Sequence, residues 1–290
     1  MTTSGEQVFT FETLHRQVEI TGIIVAQTAF RIGMGRDIDA HTTDLPIIKD
    51  TLGRPFIPGS SMKGAMRSAV EAVARALGQA NMKKAACLCT GEADEWCVSD
   101  KRRKELAEAA TSDAEFAASI WSESCRVCRL FGSPWFAGKF RLSDLTLRHP
   151  GDRRPTSETR DGVAIDRDTG TAARGKLFRY DVTPAGLAFD FHASVDNPND
   201  EELGLALMAI KLLERGDIRI GGGTSRGLGS CRLPKVSVGM IDPDNPDALV
   251  AYLMDGTLPP LEPDAQKDYI ETCTLDLLSL QPQEGVIHDA

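Results

Sequence analysis

No run of eighteen apolar residues occurs in the 290-residue chain, so no stretch of it reads as a membrane-spanning helix. The first residues, MTTSGEQVFTFETLHRQ, lack the basic start and apolar centre of a secretory signal, and a cytoplasmic protein is expected. Seven cysteines are few for a disulfide scaffold of this size, which favours a reducing compartment. The five histidines, His15, His41, His149, His192 and His288, are scattered. None sits at the spacing of a catalytic or metal pair, so a histidine-based ribonuclease has no support. Nucleotide-loop signatures are missing too. Neither GRPFIPGSS nor GTSRGLGSC contains Gly-Lys-Ser/Thr, and GMGRDI lacks the third glycine of a dinucleotide fingerprint.

What is present is enough apolar material, 41% of the residues, for a substantial core in one domain or in a domain with large insertions. The net charge of −9 is unevenly spread. Residues 241–290 carry eleven acids and one lysine, so the first 240 residues sum to about +1, and residues 126–180 hold twelve Lys/Arg in a clear basic excess. Local field governs polyanion binding more than total charge does, so an RNA partner stays open. The plain alternative is a solvated basic surface.

Along the chain, QVEITGIIVAQT (17–28) reads as a strand. Met62, Met66, Ala69, Val70, Val73 and Leu77 recur at helical spacing, and Gly78 ends that run. Residues 79–128 look like a charged helical insertion, GKFRLSDLTLRH (138–149) alternates like a strand, and 150–180 reads as an extended polar excursion. AGLAFDFHASV is another strand, and NPNDEELGLALMAIKLLERG is a helix with an Asn/Asp start, acids in its first turn and Gly216 at its end. A glycine-rich loop and a closing strand follow, and the tail after residue 240 is expected to be peripheral. The order without insertions, strand–helix–strand–strand–helix–strand, predicts an α+β, ferredoxin-like (RRM-like) sheet covered on one face by two helices.

Three patches carry chemistry. In PGSSMKGAMRS, Ser60 or Ser61 is placed to cap a helix whose free N–H groups face an anion, with Lys63 and Arg67 four apart on one face. The alternative is a plain capped helix with solvated cations. In IGGGTSRGLGS, glycines including Gly222 and Gly223 allow the backbone close to a ligand, with Ser225 and Arg226 as polar contacts; a flexible hairpin loop is the alternative. Cys87, Cys89, Cys97, Cys125 and Cys128 offer a closed, structural thiolate site for Zn2+, or they are ordinary free thiols. Five candidates for four places leave that ligand set open. Cys231 and Cys273 are isolated and expected to be simply buried.

Taken together, DLPIIKDTLGRPFIPGSSMKGAMRS, CRVCRLFGS and IRIGGGTSRGLGS, in that order over roughly residues 17–240, resemble the repeated backbone subunit of type III CRISPR effector complexes, the Csm/Cmr type of the RAMP superfamily. RDGVAIDRDTGTAARGKLFRYDVTPAG is similar to the family's protruding β-hairpin, or thumb. The resemblance implies a palm over 1–78 and 129–240, a thumb near 152–183, a cysteine-bearing lid over 79–128 and an acidic extension over 241–290. It implies partners as well: a guide RNA, a complementary target RNA, further copies of the same or similar subunits, and other type III subunits. It further implies Mg2+- or Mn2+-dependent cleavage of the target by its own 2′-hydroxyl, promoted by an aspartate that falls here on Asp44. Asp37 and Asp39 are solvated loop acids or metal helpers, and Asp50 pairs with Lys49 or caps a turn. Where the family often has histidine, FRIGMG carries Arg31, whose planar fork also suits phosphate. The large insertion and acidic tail suggest a variant branch of the III-D kind.

Overall fold

β1 (Gln17–Ala26) alternates strictly, with Val18, Ile20, Ile24 and Ala26 in the core and Gln17, Glu19, Thr21 and Ile23 on the opposite face. It is a central strand, antiparallel to β5 (Ala188–Asp196) on one side and to β6 (Cys231–Ile241) on the other. β2 (Phe140–Leu142) pairs with the far edge of β5, so the sheet order is β2–β5–β1–β6. The structure is a computed structural model that describes residues 11–34, 44–88, 91, 95–148, 156–241 and 245–281. The class is α+β with antiparallel sheets.

Two helices cover the core face. α1 (Gly59–Leu77) follows β1 and buries Met62, Met66 and Val70 of the expected stripe together with Ala74, while Ala69, Val73 and Leu77 are half-buried against the core. Each large apolar side chain buried this way contributes about 1.5–3 kcal/mol. The start of α1 departs from expectation. Pro58 is the N-cap, Ser60 and Ser61 lie inside the first turn, and no side chain caps the helix in the usual way. Instead the Gly59 N–H donates to Asp144 Oδ1 at 2.7 Å. A Cβ at Gly59 would strike the Leu142 carbonyl, so glycine lets the helix start press against β2.

α6 (Asp200–Arg215) follows β5 as predicted, with a capping box between Asn199 and Glu202 and Gly216 in the left-handed region at its end. Glu202 also accepts from the buried Lys139 Nζ at 2.6 Å, and Lys139 donates to the Asn197 carbonyl at 2.8 Å.

Between α1 and β2 lie α2 (Met82–Ala85), α3 (Asp100–Ala109), α4 (Asp113–Glu123) and α5 (Arg126–Phe131). Ser99 and Ser112 cap α3 and α4. Val98, Leu106 and Ile120 form a small cluster there, but Cys87, Cys125, Val127 and Cys128 belong to the main core, so this region is welded to the body.

The polar excursion is a separate two-stranded sheet, β3 (Glu158–Ile165) with β4 (Ala172–Val182). Phe178 covers Gly162 across the ladder, where any Cβ would collide with the ring. At its root Val182 packs with Ala29 and Leu228.

The tail corrects a sequence expectation. α7 (Pro246–Asp255) has no buried residue and is peripheral, but α8 (Pro263–Leu278) places Cys273 and Leu277 in the main core. Gly204 of α6 allows that approach, since a Cβ there would meet the Tyr269 carbonyl. Cys231 and Cys273 are buried, and burial pushes both thiols up to about 12.

Candidate nucleic-acid interface and cysteine centre

The chain leaving β1 runs back on itself. Ile48 N–H donates to the Ile32 carbonyl at 2.9 Å, so residues 30–34 and 44–48 lie side by side. Asp50 closes the next turn, accepting from the Leu52 and Arg54 N–H groups and pairing with Arg54 Nε at 2.7 Å. The Arg54 backbone bond is the main reason its carboxyl titrates below the usual range. Asp50 therefore caps the turn, with Arg54 rather than Lys49 as its partner. Asp37, Asp39 and His41 lie outside the described residues.

Asp44 is exposed at the foot of the hairpin. Its Oδ2 accepts the Arg179 backbone N–H at 2.8 Å, while Asp181 N–H donates to the Leu45 carbonyl at 3.1 Å. Leu45 thereby adds a short parallel bridge to Tyr180. Loop and hairpin are thus one unit at the carboxylate.

The glycine-rich loop lies against the same place. Gly222 N–H donates to the Arg31 carbonyl at 2.8 Å. Gly221 has φ +72°, and a Cβ on it would run into that carbonyl oxygen, so only glycine fits the approach. Gly222, Gly223, Ser225 and Arg226 are exposed, with Ser225 and Arg226 in a short 3-10 turn. The loop is a held hairpin, with Ile220 N–H bonded to the Gly229 carbonyl. Arg31 presents its guanidinium beside Gly33 and Gly222, and its buried Nε has no hydrogen-bond partner among the described residues.

Between these parts is a cleft of about 110 Å³. Arg31, Gly222, Gly223 and Arg226 form one wall; Leu45, Phe178 and Tyr180 form the other. The two rings are 5.9 Å apart and tilted by 32°. Arg167, Arg174 and Lys176 are exposed farther along the hairpin. A pair of aromatic faces beside cations and open backbone can stack a base and grip its phosphate.

The start of α1 does not join this cleft. Ser60 is exposed and Ser61 half-buried. Lys63 Nζ donates to the Phe140 carbonyl at 2.6 Å, and burial, with Arg67 and Arg141 nearby, pushes its ammonium down. Arg67 faces inward: Nε donates to Glu71 at 2.8 Å, one terminal nitrogen to the Gly132 carbonyl at 2.9 Å, and the other to Cys128 Sγ at 3.2 Å.

That sulfur belongs to a cluster. Cys87, Cys97, Cys125 and Cys128 bring their Sγ atoms within 4.8 Å of one another, and Cys89 lies outside the described residues. Cys87 and Cys128 Sγ are 3.6 Å apart. A tetrahedron of four sulfurs about 2.3 Å from a zinc ion has edges of about 3.8 Å, so the spacing suits one. Cys125 caps α5, its Sγ accepting the N–H groups of Cys128 at 3.3 Å and Cys87 at 3.4 Å. Hydrogen bonding from Cys125 holds the Cys97 thiol far below its ordinary value and the Cys128 thiol far above it. This arrangement can hold a metal ion.

The RAMP superfamily model matches residues 23–232, well over half of the chain. The chain belongs to the RAMP superfamily. It is similar to the "CRISPR system Cms endoribonuclease Csm3" of Methanocaldococcus jannaschii, at 25% identity over 238 residues, 78% of this chain and 82% of that protein. The proteins of the same name from Methanothermobacter thermautotrophicus and Mycobacterium tuberculosis match shorter pieces. These are 50% identical over 54 residues and 40% over 58, covering 22% and 25% of those proteins. The RAMP match runs from within β1 to the start of β6, takes in β2, β5, the hairpin and the glycine-rich loop, and ends before α7 and α8. No helix among the described residues is long and apolar enough to cross a membrane.

Three supporting residues, Asp144, Glu71 and Arg75, were not singled out in the sequence. Asp144 supplies the carboxylate at the start of α1 from far along the chain, with no local signal. Arg67, Glu71 and Arg75 stand at i, i+4 and i+8, a spacing that does announce an ion-pair ladder.

Proposed function

We propose that this chain is a guide-RNA-binding backbone subunit of a cytoplasmic type III CRISPR interference complex that cuts complementary target RNA at regular intervals. The carrying observation is the cleft where Asp44's neighbour Leu45, the aromatic root of the hairpin, Arg31 and the glycine-rich loop meet. The sheet order β2–β5–β1–β6, with one helix after β1 and one after β5, supports reading the body as a ferredoxin-like palm and β3–β4 as its thumb. Other copies, and other subunits of the complex, would extend the RNA path.

In this reading Arg31 and Arg226 hold phosphate, and Gly222, Gly223 and Ser225 let the backbone approach it. Ser60, Ser61 and Lys63 offer a second contact, whereas Arg67 supports the cysteine centre from within. Phe178 and Tyr180 face a base that leaves the stack. Asp44 then accepts the proton of the adjacent 2′-hydroxyl. The 2′-oxygen bonds to phosphorus as the bond to O5′ breaks, leaving a 2′,3′-cyclic phosphate, and water protonates the departing 5′-oxygen.

Asp44 offers a single carboxylate, with one oxygen already accepting from Arg179. That fits a hydrated Mg2+ or Mn2+ shared with RNA phosphate better than a cage of protein ligands. Such an ion, once bound, would neutralise charge on the phosphoryl oxygens. The four clustered cysteines would hold a structural Zn2+, since an all-thiolate set leaves no open position.

One observation favours a second reading, a silent structural subunit: the Asp44 carboxylate already has a structural task at the hairpin root. Cleavage of labelled complementary RNA by the reconstituted guide complex separates the two. Regularly spaced products that vanish with Asp44→Asn support the enzyme; none from the native complex, with guide bound, leaves the scaffold.

A further inference from the structure

A metal ion with four thiolates carries a net charge of about −2, and three of these cysteines are buried. Buried negative charge is stable only where donors meet it. Cys125 Sγ has two backbone donors, the N–H groups of Cys87 and Cys128. For Cys128 Sγ the donor is the Arg67 guanidinium at 3.2 Å, a full positive charge.

The other bonds of that guanidinium fix its plane. Gly132 O receives one N–H at 2.9 Å, and Glu71 receives Nε at 2.8 Å. The Gly132 position is itself constrained: φ is +93°, and a Cβ would press on the Gly138 nitrogen at 2.7 Å. Glu71 also pairs with Arg75 at 3.1 Å. Arg75 in turn donates to the Ala86 carbonyl at 3.0 Å and the Cys87 carbonyl at 3.1 Å. One face of α1 therefore touches both halves of the cysteine cluster, the segment after α2 that carries Cys87 through Arg75 and the α5 turn through Arg67.

We propose that Arg67 is a positioning residue of the cysteine centre, donating to the Cys128 sulfur and fixing its direction toward the metal. This rests on the reading that the four cysteines bind zinc. Arg75 supplies an internal contrast, because it is packed in the same ladder but, among the described residues, donates only to carbonyls and to Glu71. If the ladder acts by packing alone, losing either arginine affects metal binding equally. If donation to sulfur matters, Arg67 stands apart.

The test is competition between the protein and a chromophoric chelator for Zn2+, repeated with Co2+, whose thiolate absorption reports the sulfur environment. Native protein, Arg67→Gln, Arg67→Lys and Arg75→Gln are compared, with far-UV circular dichroism of the metal-free forms as the folding control. Arg67→Gln is expected to bind Zn2+ about 10- to 100-fold more weakly, the usual cost of removing a partner of a metal ligand. Arg67→Lys should recover part of that loss, Arg75→Gln should stay within a few-fold of native, and the Co2+ spectrum should change only in the Arg67 variants. Native affinity in both Arg67 variants, or equal losses in Arg67→Gln and Arg75→Gln, overturns the proposal while leaving the zinc centre in place. A native protein that takes up no stoichiometric Zn2+ overturns the zinc reading and this proposal with it.

Discussion

The Asp44 carboxylate accepts the backbone N–H of Arg179 at 2.8 Å, so the residue read as the reacting group also ties the loop after β1 to the root of the hairpin. The two tasks are separable. Asparagine at position 44 keeps an oxygen to accept that N–H, and alanine does not. A hydrogen bond to a charged group contributes about 1.5–3 kcal/mol, so exchange of the Arg179 amide should speed up about 10-fold or more in Asp44→Ala. It should stay closer to native in Asp44→Asn. Hydrogen exchange read by mass spectrometry or NMR checks this.

Phosphate contacts leave a salt signature. Each contact to a single strand contributes about 0.7 to the slope of log affinity against log salt. Arg31→Met and Arg226→Met should each flatten the slope for guide RNA by about that amount. Arg67→Met should leave the slope unchanged, because its donors go to Glu71, Gly132 and Cys128. Filter binding across a salt series is the measurement.

Gly221 and Gly227 both have positive φ, +72° and +86°, but only Gly221 has a neighbour that a Cβ would strike. Gly227→Ala should cost about 1 kcal/mol of stability with guide affinity near native. Gly221→Ala should cost about 1–3 kcal/mol and weaken guide binding at least 10-fold, because the loop must leave Arg31. Urea melts and binding curves on the two variants test the contrast.

Lys139 and Glu202 form a buried pair, each side chain no more than 3% exposed. Removing one partner strands the other charge, at a cost of about 3–5 kcal/mol. Lys139→Met and Glu202→Gln should each show that loss in denaturant unfolding. Glu202→Gln also weakens the capping box of α6.

Local rules made much of the fold legible. The alternation in β1, the apolar stripe of α1, and the Asn199 start and Gly216 end of α6 are written in neighbouring residues. What failed was non-local. Asp144 caps α1 from 85 positions away, and Arg67 finds Cys128 61 positions on; neither follows from periodicity. Cationic spacing on α1 was visible, but which way Arg67 turns depends on where α5 packs. The tail was misjudged because its acids overshadowed quieter signals. Asn245 before Pro246, with Gly256 after the last turn, marks α7. α8 enters the core through a thin apolar seam that includes Cys273 and Leu277. In the cleft, each wall could be read separately, and only the folded chain sets the aromatic root of β4 opposite Arg31 and the glycine loop.

The most direct measurement of the central claim is cleavage of end-labelled complementary RNA by the reconstituted guide complex in Mg2+ or Mn2+, with native protein and Asp44→Asn side by side. The account predicts regularly spaced products from the native complex and a loss of at least about 100-fold in rate for Asp44→Asn, at equal guide binding. Cutting by Asp44→Asn at the native rate would contradict it, as would a native complex that binds guide and target and leaves the target whole.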